Sequence, residues 1–245
     1  MSTLSQNNSR SDPRVTVVIP CHNHEDFVKN AVDSAISQEY DNKKIVVIDD
    51  GSTDGSRRVI EFMSRSMGIE AIYNNFPTGP SAARNIAIQK FWNDTDFFCV
   101  LDADDTYLPG KIDMSVGIMK EDPVSIGLVY ADVIIRNIKN NTEILELRRP
   151  YSRGEIEKEC IISNTPLINK LALDQVGLYD ETMRTAEDWD LWLRITSKFL
   201  AVHIPMPLST YSVTGFNASD TIPSEVWYKN WEKIRERIKS QHASI

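Results

Sequence analysis

Short apolar runs alternate with amphipathic segments over the first 110 residues of the chain. The runs at 15–20 (VTVVIP), 44–49 (KIVVID), 69–73 (IEAIY) and 96–101 (DFFCVL) are rich in β-branched and aromatic residues, which favours strands. Three of them are almost entirely apolar, as is typical of strands that are buried on both faces. The pattern predicts a sheet whose strands lie inside the molecule.

The segments between these runs predict helices. Phe27, Ala31 and Ala35 recur at helical spacing after the first run. Asp54 is placed to cap a second helix, and Pro80 is placed to begin a third. Strand, helix and strand in repeated order predict a parallel sheet with helices on both faces. The predicted fold class is therefore α/β, with a Rossmann-like, mostly parallel central sheet flanked by helices.

The second half of the chain is less regular. Residues 126–135 and 143–148 predict strands, and residues 187–199 predict a helix. A terminal helix is predicted at 224–240, because four apolar residues share one face and basic residues crowd the rest. The apolar residues of that face are Trp227, Trp231, Ile234 and Ile238.

Composition narrows the classes of protein. The 245 residues carry a formal net charge of −8, which argues against a nucleic acid as partner. Cys21, Cys99 and Cys160 are widely spaced, so neither a disulfide framework nor a zinc site is expected. Cys99 lies in an apolar run and is expected in the core. There is no signal-peptide pattern and no run of the ~20 apolar residues that span a membrane, so the predicted location is the cytoplasm.

Polar and acidic residues follow three of the predicted strands. PCHN at 20–23, DDGS at 49–52 and DADD at 102–105 stand where ligands bind in such sheets, beyond the carboxyl ends of the strands. We expect them to converge on one edge. The five carboxylates among them would repel one another unless a positive group is bound there. Carboxylate oxygens suit Mg²⁺ or Mn²⁺, which complete their shell with water and substrate phosphates.

Five motifs in this order resemble glycosyltransferase family 2. The motifs are PCHN at 20–23, IDDGSTDGS at 48–56, GPSAARN at 79–85, LDADD at 101–105 and EDWDLWLR at 187–194. The resemblance implies the GT-A fold, with a smaller mixed region that holds the acceptor. It also implies a transferase that moves a sugar from a nucleotide-sugar donor to an acceptor, with inversion at the anomeric carbon.

A division of the chain follows from this resemblance and from composition. The polar residues 1–13 are predicted to be a disordered tail. Residues 14–215 would form the GT-A domain, with a nucleotide-binding half at 14–110 and an acceptor half at 111–215. Residues 216–245 would form a C-terminal amphipathic helical extension.

The resemblance implies a nucleotide site at the strand ends. Asp50 would accept a hydrogen bond from the base, usually uracil, since an ionised carboxylate only accepts. The alternative is that Asp49 and Asp50 only cap the next turn. His22 stands where many relatives have a tyrosine that stacks on the base; the alternative is a solvated loop histidine. The residues expected to bind the nucleotide are Pro20, His22, Asn23, Asp50, Arg84 and Asp102.

The DADD motif is implied to hold the metal. Asp104 would be the direct ligand of Mn²⁺ or Mg²⁺, and Asp102 would contact the ribose or a metal-bound water. Arg84 would lie near the nucleotide and pair with a phosphate or with a carboxylate of the DADD motif. The alternative for Arg84 is a structural bridge to an aspartate.

Asp188 is implied to be the catalytic base, which deprotonates the acceptor hydroxyl. Glu187 and Asp190 stand close by in sequence and could raise the pKa of Asp188. The alternative is that Asp188 only favours the first turn of its helix, where acidic side chains are stabilising.

The expected donor is a UDP-sugar and the expected acceptor is a glycan or a lipid-linked hydroxyl, in the synthesis of cell-surface polysaccharide or exopolysaccharide. Two other functions stay open. A nucleotidyltransferase would usually carry a Gly-rich basic loop, and none follows VTVVIP. A non-catalytic nucleotide-sugar binding module would not need the intact EDWD.

The terminal helix has three candidate partners. It could dock on its own domain, pair with a second copy as a homodimer, or lie on the inner face of the membrane as a peripheral contact. An apolar stripe is the ordinary mark of a docked helix, which favours the first.

Overall fold

One nine-stranded sheet runs through the part of the chain that this computed structural model describes, residues 12–215, 217 and 221–242. The predicted tail at 1–13 therefore lies almost wholly outside the described residues, as do parts of the predicted extension. The strands are β1 (Val15–Cys21), β2 (Lys43–Asp50), β3 (Glu70–Asn74), β4 (Phe97–Val100), β5 (Thr106–Tyr107), β6 (Ile126–Asn137), β7 (Thr142–Glu146), β8 (Leu167–Asn169) and β9 (Leu200–Val213).

Helices cover both faces of the sheet. In chain order they are α1 (Val28–Ile36), α2 (Ser56–Met67), α3 (Pro80–Lys90), α4 (Lys111–Glu121), α5 (Arg153–Ile156), α6 (Lys170–Val176), α7 (Glu187–Thr196) and α8 (Ser224–His242). A short 3₁₀ turn, Trp92–Asp94, joins α3 to β4.

The first half of the sheet is parallel. Its order is β3-β2-β1-β4, and the order continues through the antiparallel β8 to β6, β9 and β5, with β7 paired to β6. The carboxyl ends of β1, β2 and β4 therefore reach the same edge, which we call the rim (residues 20–23, 49–52 and 102–105). The predicted α/β class and the predicted convergence of the three motifs are both confirmed.

Two strands of the second half were not predicted from sequence. β8 has three residues and is too short to show a pattern. β9 contains Pro205 and Pro207, and proline normally argues against a central strand. The pairing of β6 with β9 is irregular here, because Ala131 pairs with Ile204 while Asp132 pairs with Pro207. This bulge accommodates the prolines within the sheet.

Alternation along the strands produces a core on each face. Val17 and Ile19 of β1 point into the first core, where α1, α2 and α4 pack. Val18 points into the second, where α3, α6 and α7 pack. Cys99 is fully buried in the first core, as the sequence predicts.

Helix α8 docks on its own domain. Ile234 is 1% exposed and belongs to the second core, and Asn230 is buried beside it. Trp231, which the sequence predicts on the same face as Ile234, is 44% exposed, and Tyr228 is 56% exposed. Within the described residues, no helix has both the length and the apolar character that crossing a membrane requires.

Candidate functional site

Asp49 has a structural partner at the rim. It is fully buried, and its Oδ2 accepts a hydrogen bond from Arg57 Nε at 2.6 Å. Its Oδ1 accepts from the backbone N–H of Ser52 at 3.2 Å, which fixes the turn after β2. Asp49 therefore caps the turn after β2, as the structural alternative from sequence has it.

Asp50 holds the loop that precedes α3. Its carboxylate accepts hydrogen bonds from the backbone N–H groups of Thr78 and Gly79, both within 2.9 Å. The Thr78 hydroxyl and the Asn74 amide each donate to Oδ1 at 2.7 Å. The carboxylate that the sequence assigns to the base thus also fixes the start of the GPSAARN helix.

His22 and Asn23 lie beside the same turn. The His22 Nδ1–H donates to the Asp50 carbonyl at 2.8 Å, since a carbonyl can only accept. Asn23 adopts a left-handed backbone with φ of 57°, and its Oδ1 accepts from the Thr53 N–H at 2.8 Å. Both side chains are exposed at the rim. Pro20 precedes them on β1 and is partly buried.

Arg84 joins the DADD motif to the EDWD motif. Its Nη2 contacts Asp102 Oδ1 at 2.6 Å and its Nη1 contacts Glu187 Oε1 at 2.7 Å. The guanidinium also lies 5.3 Å from the centre of the Tyr179 ring. Burial alone would lower the pKa of Arg84, but the two carboxylates raise that pKa well above its usual value. The bridge brings the two motifs, 85 residues apart in sequence, into one site.

Asn164 ties two carboxylates of the DADD motif together. Its amide donates to Asp102 Oδ2 at 3.1 Å and to Asp105 Oδ2 at 2.9 Å. Asp105 is 1% exposed and accepts from the Ser212 N–H, so it has a structural role. Burial and the neighbouring aspartates raise the pKa of Asp105 well above its usual value.

Among the described residues, Asp104 has the fewest side-chain hydrogen bonds of the three DADD carboxylates. Its Oδ2 accepts a long hydrogen bond of 3.4 Å from Asn217. Burial, and then Asp102, raise the pKa of Asp104 to about 6. A bound cation would oppose both effects, because it favours the ionised form. Among the described residues, no three His, Cys, Asp or Glu side chains are grouped so as to hold a metal by themselves.

Asp188 lies in the first turn of α7. Burial, and then the neighbouring Glu187, raise the pKa of Asp188 to about 6. The backbone N–H of Trp189 donates to Asp188 Oδ1 at 2.7 Å. The sequence suggested that Glu187 raises the pKa of Asp188, and the structure shows this effect. Glu187 itself is ion-paired with Arg84. Asp190, the other candidate, points instead into an ion pair with Arg194 at 2.8 Å.

Helix α8 supports the turn before α7. Ala186 has a left-handed backbone with φ of 55°, which is strained for a residue with a Cβ. Asn230 of α8 donates through its amide to the Thr185 carbonyl at 3.0 Å and contacts the Thr185 hydroxyl at 2.9 Å. Asn164, Asn217 and Asn230 were not singled out from sequence. Asn164 and Asn217 lie in irregular stretches and Asn230 lies on a helix, and only the folded chain gives each of them its partner.

The comparison with family models identifies the chain. Residues 16–172 match the glycosyl transferase family 2 model, which is more than half of the chain. The protein therefore belongs to glycosyl transferase family 2, as the motifs suggested.

Curated relatives of this chain are named as glycosyltransferases. An "Uncharacterized glycosyltransferase" of Rickettsia bellii is 27% identical over 219 residues, covering 87% of this chain and 31% of that protein. The Escherichia coli protein WfaP is 29% identical to this chain, and the match covers 80% of this chain and 76% of WfaP. WfaP is named a UDP-Glc:alpha-D-GlcNAc-diphosphoundecaprenol beta-1,3-glucosyltransferase. The chain thus spans about a third of the length of several Rickettsia relatives.

Solved structures share the fold. TarS of S. aureus in complex with UDP-GlcNAc superposes with a TM-score of 0.71 and 15% identity, covering 95% of this chain and 73% of that one. The mannosyltransferase PcManGT of Pyrobaculum calidifontis, in complex with GDP-Man and Mn²⁺, gives a TM-score of 0.66 and 16% identity, covering 85% of this chain and 59% of that one. The predicted GT-A fold is confirmed.

Proposed function

We propose that this protein is an inverting, metal-dependent glycosyltransferase that moves a sugar from a UDP-sugar to an acceptor hydroxyl. The observation that carries the proposal is the Arg84 bridge, which joins Asp102 at 2.6 Å to Glu187 at 2.7 Å. It places the DADD motif next to the residue that precedes Asp188. A single displacement needs the leaving diphosphate and the base on either side of the anomeric carbon, and this site offers a group for each.

The nucleotide is assigned to the rim. Asp50 would accept from the base, and His22 would lie against its ring from the exposed side. Asp102 would contact the ribose, while Pro20, Asn23 and Arg84 shape the site around it. The bias to UDP is supported by the UDP-GlcNAc bound in the TarS structure and by the UDP-Glc in the name of the WfaP protein.

The residues at the DADD motif fit a divalent cation. Both oxygens of Asp102 are engaged, by Arg84 and by Asn164, which leaves Asp104 as the ligand. One carboxylate oxygen suits Mg²⁺ or Mn²⁺ when phosphates and waters complete the shell. When bound, the cation would offset the negative charge of the departing diphosphate.

Asp188 is the proposed base. Its pKa of about 6 leaves it mostly ionised at neutral pH yet more basic than an ordinary aspartate, which suits proton transfer from a hydroxyl. The Trp189 N–H holds one oxygen and fixes the orientation of the other.

A lipid-linked sugar is the proposed acceptor, supported by the diphosphoundecaprenol in the name of the WfaP relative. The division into halves at residue 110, the cytoplasmic location and a contact with the membrane or a second copy stay predictions. A nucleotidyltransferase is not favoured by any feature of the site. A non-catalytic binding module is the alternative that the experiment below must exclude.

The proposal is tested by pairing a transfer assay with a binding assay. Asp188→Asn should lower kcat by ~10²–10⁴-fold, the usual contribution of a general base. Its UDP-dependent rise in melting temperature with Mn²⁺ should equal that of the wild type, because ligand binding to the native state raises stability. Asp104→Asn should lose the Mn²⁺-dependent part of that rise.

Two results would contradict the proposal. Normal transfer by Asp188→Asn would remove Asp188 as the base. A metal-dependent UDP shift without transfer or donor hydrolysis by the wild type, given a panel of sugar acceptors, would favour the binding module.

A further inference from the structure

The loop between β3 and α3 is held against the end of β2. The Asp50 carboxylate accepts hydrogen bonds from the backbone N–H of Thr78 at 2.9 Å and from its hydroxyl at 2.7 Å. Gly51 has φ of 66°, and a Cβ there would come within 2.6 Å of the Phe76 carbonyl carbon and the Pro77 nitrogen. The backbone of the loop therefore lies directly on the turn that ends β2.

The Phe76 ring is left out of this packing. Phe76 is 78% exposed, the highest value of any large hydrophobic residue in the described part of the chain. The nearby ring of Tyr73 is covered in part by the Arg57 guanidinium, which lies 5.4 Å from the ring centre. None of the ring–ring or cation–ring pairs among the described residues includes Phe76. A fixed backbone thus presents a bare aromatic ring at the rim.

A second exposed ring borders the same turn. The His22 Nδ1–H donates to the Asp50 carbonyl at 2.8 Å, and this carbonyl belongs to the peptide that joins Asp50 to Gly51. His22 follows β1 and Phe76 follows β3, and β2 lies between these two strands in the sheet. The two rings therefore flank the end of β2.

The spacing along the rim suits a nucleotide. Because β1 lies between β2 and β4, the end of β2 is two strand spacings, about 10 Å, from the DADD motif at the end of β4. A nucleoside diphosphate spans a distance of this order between its base and its phosphates. With the phosphates at the cation proposed on Asp104, the base lies at the end of β2. Aromatic side chains stack on every base, because every base has a π-face.

We propose that Phe76 stacks on the base of the bound nucleotide, on the face that His22 leaves open. The inference rests on the proposed function and adds a residue that positions the donor. The imidazole of His22 offers a smaller stacking surface than the tyrosine of many relatives, and Phe76 supplies the surface that is missing. The bonds of the loop to Asp50 fix the backbone at Phe76 before the ligand arrives, so binding costs little additional ordering.

The binding test compares ligands with and without a base. UDP, GDP and methyl riboside 5-diphosphate are titrated into the protein with Mn²⁺ by calorimetry. Phe76→Ala should weaken the nucleotide that the wild type prefers by about tenfold or more, as the loss of one stacked ring does. It should leave the affinity for methyl riboside 5-diphosphate unchanged. Equal weakening of both ligands, no weakening of either, or a wild type that binds neither nucleotide more tightly than the riboside would overturn the inference.

Phe62→Ala is the matched control. Phe62 is 64% exposed, but it lies on α2, six residues and about 9 Å along the helix from Ser56 and away from the rim. This variant should bind all three ligands as the wild type does. Phe76→Leu keeps an apolar side chain without the ring, so its affinity for the nucleotide should fall between those of the wild type and Phe76→Ala. Equal melting temperatures without ligand would show that the variants fold.

A fluorescence measurement reports on the contact itself. Phe76→Trp places an indole at this position, and its emission is the difference between the titration of the variant and that of the wild type. The preferred nucleotide should quench this emission, and methyl riboside 5-diphosphate should not. Unchanged emission at saturating nucleotide would overturn the inference.

These measurements do not depend on turnover. Quenching in a protein that transfers no sugar supports the role of Phe76 and counts against the proposed transfer instead. A wild type that prefers GDP counts against the proposed UDP donor, while a loss of GDP affinity in Phe76→Ala still supports the stacking.

Discussion

At the scale of the residue, burial and the negative charge of Glu187 both raise the pKa of Asp188. Both disfavour the ionised carboxylate and bring the pKa of Asp188 to about 6. Glu187 contributes to the rise, and Arg84 moderates it because it pairs with Glu187 and favours the ionised form of Asp188. The acidity of the proposed base is therefore set first by burial and then by Glu187, a neighbour that never needs to touch the substrate.

The pH dependence of transfer follows from this arrangement. A base works when it is deprotonated, so kcat/KM should rise with pH through about 6 and then level off. Glu187→Gln removes a negative neighbour and leaves Arg84 less neutralised, and both changes should move this rise to lower pH. The measurement is kcat/KM from pH 4.5 to 8.5 with saturating Mn²⁺, which keeps the proposed ligand Asp104 ionised. A rise that moves to higher pH, or stays in place, would contradict the assignment.

At the scale of the element, α7 owes its place to close packing against β6. Gly127 on β6 leaves space for the end of α7 and the loop after it. A Cβ at this position would come within 2.5 Å of Phe199 Cβ and 2.7 Å of Ile195 Cγ2. The glycine is needed for this approach and not for an unusual backbone angle. It sets how deeply the helix that begins with Glu187 and Asp188 sits on the sheet.

Gly127→Ala should destabilise the protein by ~1–3 kcal/mol, the usual result of overpacking a filled core. Urea unfolding measures the change. Gly117→Ala is the control, since Gly117 lies in α4 and a Cβ there meets nothing within 4 Å. That change should be neutral or stabilising by up to ~1 kcal/mol, because alanine favours helix. Similar effects of the two substitutions would show that the approach of α7 to β6 is looser than these contacts indicate.

At the scale of the whole molecule, α8 packs on the second core and contacts α7. Asp190 of α7 is fully buried and forms ion pairs with Arg194 of its own helix and with Arg237 of α8. Asn230 of α8 holds Thr185 next to the strained Ala186. The last described helix is thus bonded to the turn that presents Asp188, and stability and transfer should depend on it together.

Arg237→Gln tests this coupling. It removes one partner from the buried Asp190 carboxylate, which keeps Arg194, so we expect a loss of ~1–3 kcal/mol in the free energy of unfolding. Arg235→Gln, an exposed position on the same helix, should change it by less than ~0.5 kcal/mol. Thermal or urea unfolding of both variants gives the comparison. Equal stability of the two would mean that the Arg237–Asp190 pair does not contribute to the docking of α8.

The sequence by itself determined the parallel half of the sheet and the family. The inner residues of strands such as 44–49 are all apolar, so the pattern predicts a strand whatever packs on it. The rim motifs stand at the carboxyl ends of β1, β2 and β4 in sequence. Because these strands are parallel, their carboxyl ends lie at the same edge of the sheet. Asp104 and Asp188 could be proposed as metal ligand and base because the resemblance to the family implies those roles for the aspartates of these motifs.

Only the tertiary structure decided the rest. β8 and β9 become strands because β6 pairs with them, and the bulge at Asp132 offsets the preference of Pro205 and Pro207 against a central strand. The partners of Arg84 lie on segments far apart in sequence, where no periodicity indicates a contact. Whether Asp49 binds a ligand or an arginine is likewise a question of which side chain reaches it, and Arg57 does so at 2.6 Å. Long-range contacts of this kind depend on how the elements pack, and a local pattern of apolar and polar residues does not encode them.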